Sequence, residues 1–249
     1  MSPTPEMRVI WHDVECGAYT ADLPLWEELA EQAEGTVLDL GCGTGRVSLH
    51  LARREHQLLG LDLSGELVKA FNKRAGGLPA RAESADARSF ALEEEFDLVL
   101  APMQLLQLFT ESGERAACLA AIAAHLRPEG LAALAIAEEV PAGSNVGPDG
   151  SVVLPVMPDS RELDGWVYSS LPLEAAHIDE DIVIRRLRQT VSTSGELGEE
   201  IDEIRLRSLR AATIEEEAAS LGLKPIGRRE VPATEDHVGS TVVLLEKEV

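Results

Sequence analysis

Apolar and polar positions follow two different rhythms along this chain of 249 residues, and the change falls near residue 140. Before it, short continuous apolar runs alternate with stretches of helical spacing. TVLDL (36–40), QLLGLDL (57–63), a short run at 80–83, FDLVLAP (96–102) and LAALAIAEE (131–139) read as five strands. Continuous apolar runs belong to strands covered by helices on both faces. Between 21 and 33, Leu25, Leu29 and Ala33 recur every fourth residue with Trp26 and Ala30 beside them, and Gly35 closes the predicted helix. GRVSLHLARR (45–54) is a second helix. Ser64 caps a third, with Leu67, Val68 and Phe71 on one face and Gly76-Gly77 as its stop. An Ala/Leu-rich helical region follows the fourth strand, broken at Ser112-Gly113 and closed by Arg127-Pro128-Glu129-Gly130. Residues 1–20 read as irregular, because Pro3 and Pro5 break a helix, and residues 1–35 as an N-terminal cap.

After Glu139 the second rhythm begins. Residues 141–160 are rich in proline and glycine and read as loop. WVYSSLPL (166–173), DIVIRRLRQTV (181–191) and IDEIRLRSL (201–209) alternate polar with apolar, as strands exposed on one face do. Gly195 and Gly198 supply a hairpin turn between the last two. TIEEEAASLGL (213–223) is helical with Thr213 as its predicted N-cap and Gly222 near its end, and KPIGRREV and STVVLLEKE are two final strands. The expected architecture is α/β: a doubly wound, mostly parallel sheet in a single domain over 1–249, with an antiparallel β insertion at 141–211 between strand five and the last helix. That insertion is expected to serve as a lid or as a homodimer contact.

Composition narrows the chemistry. Hydrophobic content of 45% and charged content of 27% are ordinary for a globular chain. No run approaches the roughly 18 apolar residues of a membrane span, and the N-terminus lacks a secretory pattern, so the expected location is cytoplasmic. Net charge is −22, from 44 acids against 22 bases. That balance repels nucleic acid and anionic membrane and favours solubility. Cys16, Cys42 and Cys118 form no paired motif and the six histidines show no ligand spacing, so no metal is expected.

The informative stretch is VLDLGCGTGR (37–46). Gly41, Gly43 and Gly45 end the first strand and open a helix. Glycine permits positive φ and lets a ligand approach the main chain, and in open α/β sheets ligands lie at the carboxyl ends of the strands. Asp62 ends the second strand, and an acid at about 20 residues beyond such a turn accepts hydrogen bonds from ribose hydroxyls. A dinucleotide fingerprint wants a third glycine where this chain has Arg46, so a nucleoside without pyrophosphate fits better.

VLDLGCGTGR, GLDLS, the strand FDLVLAP and the segment LRPEGLAALAIAE resemble the class I S-adenosylmethionine-dependent methyltransferase family over residues 36–139. The resemblance implies a seven-stranded sheet of order 3-2-1-4-5-7-6 with strand seven antiparallel. It implies S-adenosyl-L-methionine as cofactor. Asp39, Gly41 and Gly43 would line its methionine end, Asp62 would hold the ribose and Leu63 would lie against the adenine. Asp86 would meet the adenine amino group, Ala101 would sit near the sulfur, and Tyr19 matches a region that folds over the cofactor.

The activity implied is in-line methyl transfer to a small-molecule acceptor through an N or O nucleophile. The residues after strand four, Ala101-Pro102-Met103-Gln104, differ from the stretch of DNA amino-methylating relatives. Tyr19, Glu138 and Glu139 are the candidates for acceptor chemistry. Gln104 and Gln107 are expected on a helix surface, His12, His177 and His237 in ordinary positions, and Arg185, Arg186, Arg188, Arg205 and Arg207 as ion-paired surface. Two rival readings keep the cofactor: a protein methyltransferase and a non-catalytic nucleoside-binding protein. Arg46 argues against a nicotinamide-dependent oxidoreductase, and a pure interaction protein leaves the glycines and Asp62 unexplained.

Overall fold

A computed structural model of the chain describes residues 5–144, 157–235 and 237–248. The chain begins with helix α1 (Pro5–Cys16), where the sequence pattern suggested irregular structure. Pro5 is the first residue of that helix, a position where the missing N–H costs nothing. Trp11 and Val14 are buried on its inner face. Helix α2 (Leu23–Ala30) stops before the expected Ala33, and Gly35 lies beyond its end. Then come β1 (Val37–Leu40), α3 (Arg46–Ala52), β2 (Leu58–Asp62), α4 (Gly65–Ala75), β3 (Ala80–Ser84) and β4 (Phe96–Ala101). A 3-10 turn at Leu105–Leu108 precedes α5 (Ser112–His125), and β5 (Leu126–Ile136) starts earlier than the expected residue 131. Next are the short β6 (Gly143–Ser144), β7 (Asp159–Leu163), β8 (Trp166–Ile178), β9 (Asp181–Val191) and β10 (Leu197–Arg207). Helix α6 (Ala211–Ala219) and strands β11 (Leu223–Val231) and β12 (Ser240–Lys247) complete the chain. Part of the loop expected at 141–160, residues 145–156, lies outside the described residues.

The chain divides into two compact units at residues 18, 139 and 208, so the expected cap over 1–35 is split between them. The α/β unit, residues 19–139 and 209–248, holds a seven-stranded sheet of order β3-β2-β1-β4-β5-β12-β11. β12 is antiparallel to β5 and to β11, and the strands from β3 to β5 pair in parallel. This is the strand order the resemblance implied. Both faces are buried, as the apolar runs required: Leu38, Leu40, Val99 and Ala101 pack with Ile122 of α5 and Ile214 of α6. Val37, Leu58, Leu98 and Leu100 pack with Trp26 of α2 and Leu51 of α3 on the other side.

Helix starts correct and support the sequence reading in turn. Ser64 caps α4, its hydroxyl oxygen accepting the Leu67 N–H. Thr213 does not cap α6: Arg210 holds that position, without a side-chain cap bond of its own. The carboxylate of Glu138 accepts the N–H of Ala211 at 2.8 Å instead, an anion at a helix start arriving from the segment just beyond β5.

The second unit, residues 5–18 with the described part of 140–208, is an antiparallel sheet of order β10-β9-β8-β6, with β7 also paired to β8. Helix α1 covers one face. Trp11 meets Tyr168 edge to face at 5.7 Å, and the Glu15 carboxylate receives both arms of Arg188 at 2.7 Å and the Ser170 hydroxyl at 2.8 Å. Burial alone would raise the Glu15 pKa, but these bonds outweigh it and the carboxyl sits below its ordinary value. No helix among the described residues is long and apolar enough to cross a membrane.

Gly45 makes a testable demand on the fold. Its φ is +97°, and a Cβ there would stand 2.6 Å from Leu49 Cγ and 2.9 Å from Phe71. Gly45→Ala is expected to lower stability by about 2 to 4 kcal/mol, read from urea denaturation midpoints, because strain and overpacking add.

Candidate active site

The glycine turn combines positive φ values with main-chain bonds back to β2. Gly41 and Gly43 have φ of +68° and +55°. The N–H groups of Gly41 and Cys42 both donate to the Leu61 carbonyl, at 2.8 and 3.0 Å. Cys42 points inward over Gly60, where any Cβ would lie 2.6 Å from its sulfur. Burial, with the nearby charges of Asp39 and Asp62, pushes the Cys42 thiol far above its ordinary pKa, and the side chain packs with Leu49 and Phe71.

Asp62 joins the two halves of the sequence pattern. One carboxylate oxygen accepts the Gly43 N–H at 2.9 Å and the other the Ser64 N–H at 2.8 Å. Each oxygen keeps acceptor capacity for a further donor. Leu63, next in sequence, is 70% exposed, an apolar side chain left open beside the acid. The Ala85 N–H donates to the Asp62 carbonyl, which brings the segment carrying Asp86 to the end of β2. Asp86 is gripped by Arg88 through two side-chain arms and the backbone N–H, and these bonds hold its carboxyl down at about 2. Arg88 also pairs with Glu114. Ala101, buried, ends β4 beside β1.

Asp39 is the buried member of the group. The Ser48 hydroxyl donates to its Oδ2 at 2.5 Å, while Oδ1 is buried with no partner among the described residues. Burial pushes its pKa up to about 7; Ser48 and Arg46 pull it down, and Asp62 pushes it further up. An acceptor oxygen kept dry beside a ligand-shaped turn suits a donor that the chain itself does not supply.

Tyr19 reaches the turn through a residue that the sequence pattern offered only as a missing glycine. Arg46 donates to both oxygens of Asp22, at 2.6 and 2.7 Å, and to the Tyr19 carbonyl at 2.9 Å. The Tyr19 ring has the Arg46 guanidinium over it at 5.1 Å and the His237 ring at 4.8 Å. Burial raises the Tyr19 pKa, with Asp22 adding to it. Asp22 also accepts the Trp26 indole N–H at 2.8 Å. No periodicity marks Asp22 as a buried partner. Its only sequence signal is an acid just before an apolar helix.

The remaining candidates separate by position. Glu138 is committed on both oxygens, to Ala211 and to the Thr241 hydroxyl at 3.0 Å, whereas Glu139 is exposed at the end of β5. Gln107 corrects an expectation: it is fully buried, and its amide pairs with Ala137 in both directions, at 2.7 and 3.1 Å, which extends β5 by a side-chain rung. Gln104 precedes the 3-10 turn. In the other unit His12 lies on α1, and His177 Nε2 stands 2.8 Å from the Val140 carbonyl oxygen. Arg185, Arg205 and Arg207 pair with acids of the same sheet, while Arg186 and Arg188 are largely covered and tied to Asp159, Glu15 and Asp202.

The state of Asp39 sets a pH dependence. An acid that holds its proton more tightly in the folded than in the unfolded chain stabilises less as pH rises between the two values. The ligand-free protein is therefore expected to lose stability from about pH 4 to pH 7 through this group. Asp39→Asn should remove that loss, so that its stability relative to wild type improves by ~2–4 kcal/mol between pH 4 and 8 in denaturation experiments.

A family model described as a methyltransferase domain matches residues 37–130. The chain is 34% identical over 115 residues to the cypemycin N-terminal methyltransferase of a Streptomyces species, covering 46% of this chain and 47% of that protein. The chain thus spans about half the length of the curated relatives it matches. The sugar N-methyltransferase KedS8 of Streptoalloteichus sp ATCC 53650 shares the fold, with a TM-score of 0.71, 17% identity and coverage of 100% of this chain and 94% of that one. So does CalS10, an amino pentose methyltransferase of Micromonospora echinaspora, with a TM-score of 0.65, 22% identity and coverage of 94% and 91%. The matched central segment and the strand order shared with these structures support a class I S-adenosylmethionine-dependent methyltransferase fold for the α/β unit, with Asp62 bonded across its glycine turn.

Proposed function

We propose that this protein transfers a methyl group from S-adenosylmethionine to an amine nitrogen of a small molecule, with an amino sugar as the acceptor class. The observation that carries the reading is the Asp62 carboxylate, bonded to both the glycine turn and the start of α4 and still able to accept. The cofactor's polar groups match the residues present: Asp62 for ribose hydroxyls, the dry Oδ1 of Asp39 for a donor at the methionine end, and exposed Leu63 for the face of a base. Gly41 and Gly43 offer main chain without a Cβ, and Ala101 leaves room near the sulfur. Support for nitrogen comes from the matched proteins, among them the dTDP-3-amino-3,4,6-trideoxy-α-D-glucopyranose N,N-dimethyltransferase of Streptomyces venezuelae, 31% identical over 97 residues.

When bound, the cofactor supplies a methyl group on a sulfonium, already electrophilic, so the nitrogen forms its bond to carbon as the carbon–sulfur bond breaks. The chain's task is then alignment and exclusion of water, which accounts for large rate gains without a nucleophile of its own. An amine that arrives neutral needs no base until it has reacted. Its proton leaves afterwards to water or to exposed Glu139. Glu138, committed to Ala211 and Thr241, positions the end of β5. A peptide α-amine is the second reading, favoured by the similarity to the cypemycin N-terminal enzyme.

Titration calorimetry with S-adenosylmethionine, and separately with NAD, tests the cofactor. Micromolar-range binding of the first alone is expected, weakened about 10- to 100-fold in Asp62→Ala, the loss of a charged hydrogen bond. Methylation assays with a nucleotide-linked amino sugar and with an N-terminal peptide then divide the two acceptor classes. Equal binding of NAD, or binding indifferent to Asp62, would overturn the reading.

A further inference from the structure

Arg46 has three partners besides the solvent it barely meets: its side chain is 10% exposed and that of Asp22 only 4%. Both arms of the guanidinium reach the Asp22 carboxylate, one of them also the Tyr19 carbonyl, and its Cζ lies over the Tyr19 ring at 5.1 Å. Covering such a pair removes both charges from water, and apolar residues of similar volume often give equal or greater stability. A fork-shaped pair also holds a planar geometry that an apolar contact does not. The network therefore fixes where the Tyr19–Asp22 segment sits. The location bears on the ligand turn, since Arg46 directly follows Gly45.

We infer that Arg46 is a positioning residue for the cofactor, its guanidinium latching the segment from Tyr19 to Asp22 onto the start of α3 beside the glycine turn. The inference rests on the cofactor reading above. Arg46 stands where a dinucleotide-binding turn carries a third glycine, and the latch uses that place for a side chain that reaches back to the segment before α2. Trp26, whose indole N–H shares Asp22 Oδ2 with Arg46, reports on the latch.

The test measures S-adenosylhomocysteine affinity by calorimetry in wild type, Arg46→Lys, Arg46→Met and Tyr19→Ala, with melting temperatures alongside. Arg46→Lys keeps the charge and loses the fork. The expected result is affinity weakened about threefold in Arg46→Lys and about tenfold or more in Arg46→Met. KM for S-adenosylmethionine should rise more than kcat falls; melting should change little in Arg46→Lys, which keeps the charge, and fall in Arg46→Met, which leaves the Asp22 carboxylate buried without its cation. Adding Tyr19→Ala to Arg46→Met should cost little further affinity, because the two changes undo one latch. In wild type, the Trp26 indole N–H resonance should shift on ligand titration.

If wild type binds no S-adenosylhomocysteine, the cofactor reading itself fails. If wild type binds and Arg46→Met binds within twofold of it, the latch fails and the cofactor reading stands. Should the variants not fold, a Trp26 resonance that stays still on saturation of wild type overturns the inference, and one that moves supports it.

Discussion

The carboxylate of Asp62 is the joint on which the carboxyl ends of β1 and β2 in the α/β unit depend. One oxygen holds Gly43 in the middle of a turn with left-handed backbone, and the other holds Ser64 at the start of α4. Ser64 in turn caps that helix, so a single side chain sets both the path of the chain leaving β1 and the direction of α4. Backbone N–H groups in turns need acceptors, and a charged acceptor makes the stronger bond. The same charge explains the neighbourhood: it adds to the burial that keeps Asp39 protonated near neutrality, and it disfavours a thiolate at Cys42.

Buried charge recurs in this protein in two different forms. Around Asp39 it is left incomplete, one oxygen bonded and one not. A carboxyl in that state is poised for an external donor, which suits a binding site. Around Asp22 it is complete, with the Arg46 fork and the Trp26 indole filling the acceptor sites. The contrast separates a carboxyl with an acceptor oxygen left open from one that holds its surroundings still. Glu138 and Gln107 are of the second kind. Gln107 satisfies the backbone of Ala137 just past β5, and Glu138 the first N–H of α6.

In the antiparallel unit, Arg186 and Arg188 show how the alternation of a strand is used. Their shared face of β9 meets Glu15 on α1, Asp159 and Asp202, while Arg185 on the opposite face pairs with Glu174 and Glu203. Helix α1 is thereby tied to the sheet by charge as well as by Trp11 and Tyr168.

The sequence by itself determined the elements and the turn. Continuous apolar runs placed the strands of the α/β unit, alternation placed those of the antiparallel unit, and Gly41, Gly43 and Gly45 marked backbone that only glycine adopts easily. These are local properties, set by side-chain periodicity and steric freedom. α1 was missed because a proline at a first helical turn looks the same in sequence as a helix breaker, and the capping role of Glu138 because its partner is 73 residues away. Tertiary structure alone decided which acids became bridges, caps or dry acceptors. Asp22, Asp39, Asp62 and Asp86 are one residue type, and their different states come from burial and from which guanidinium or N–H group the fold brings to each.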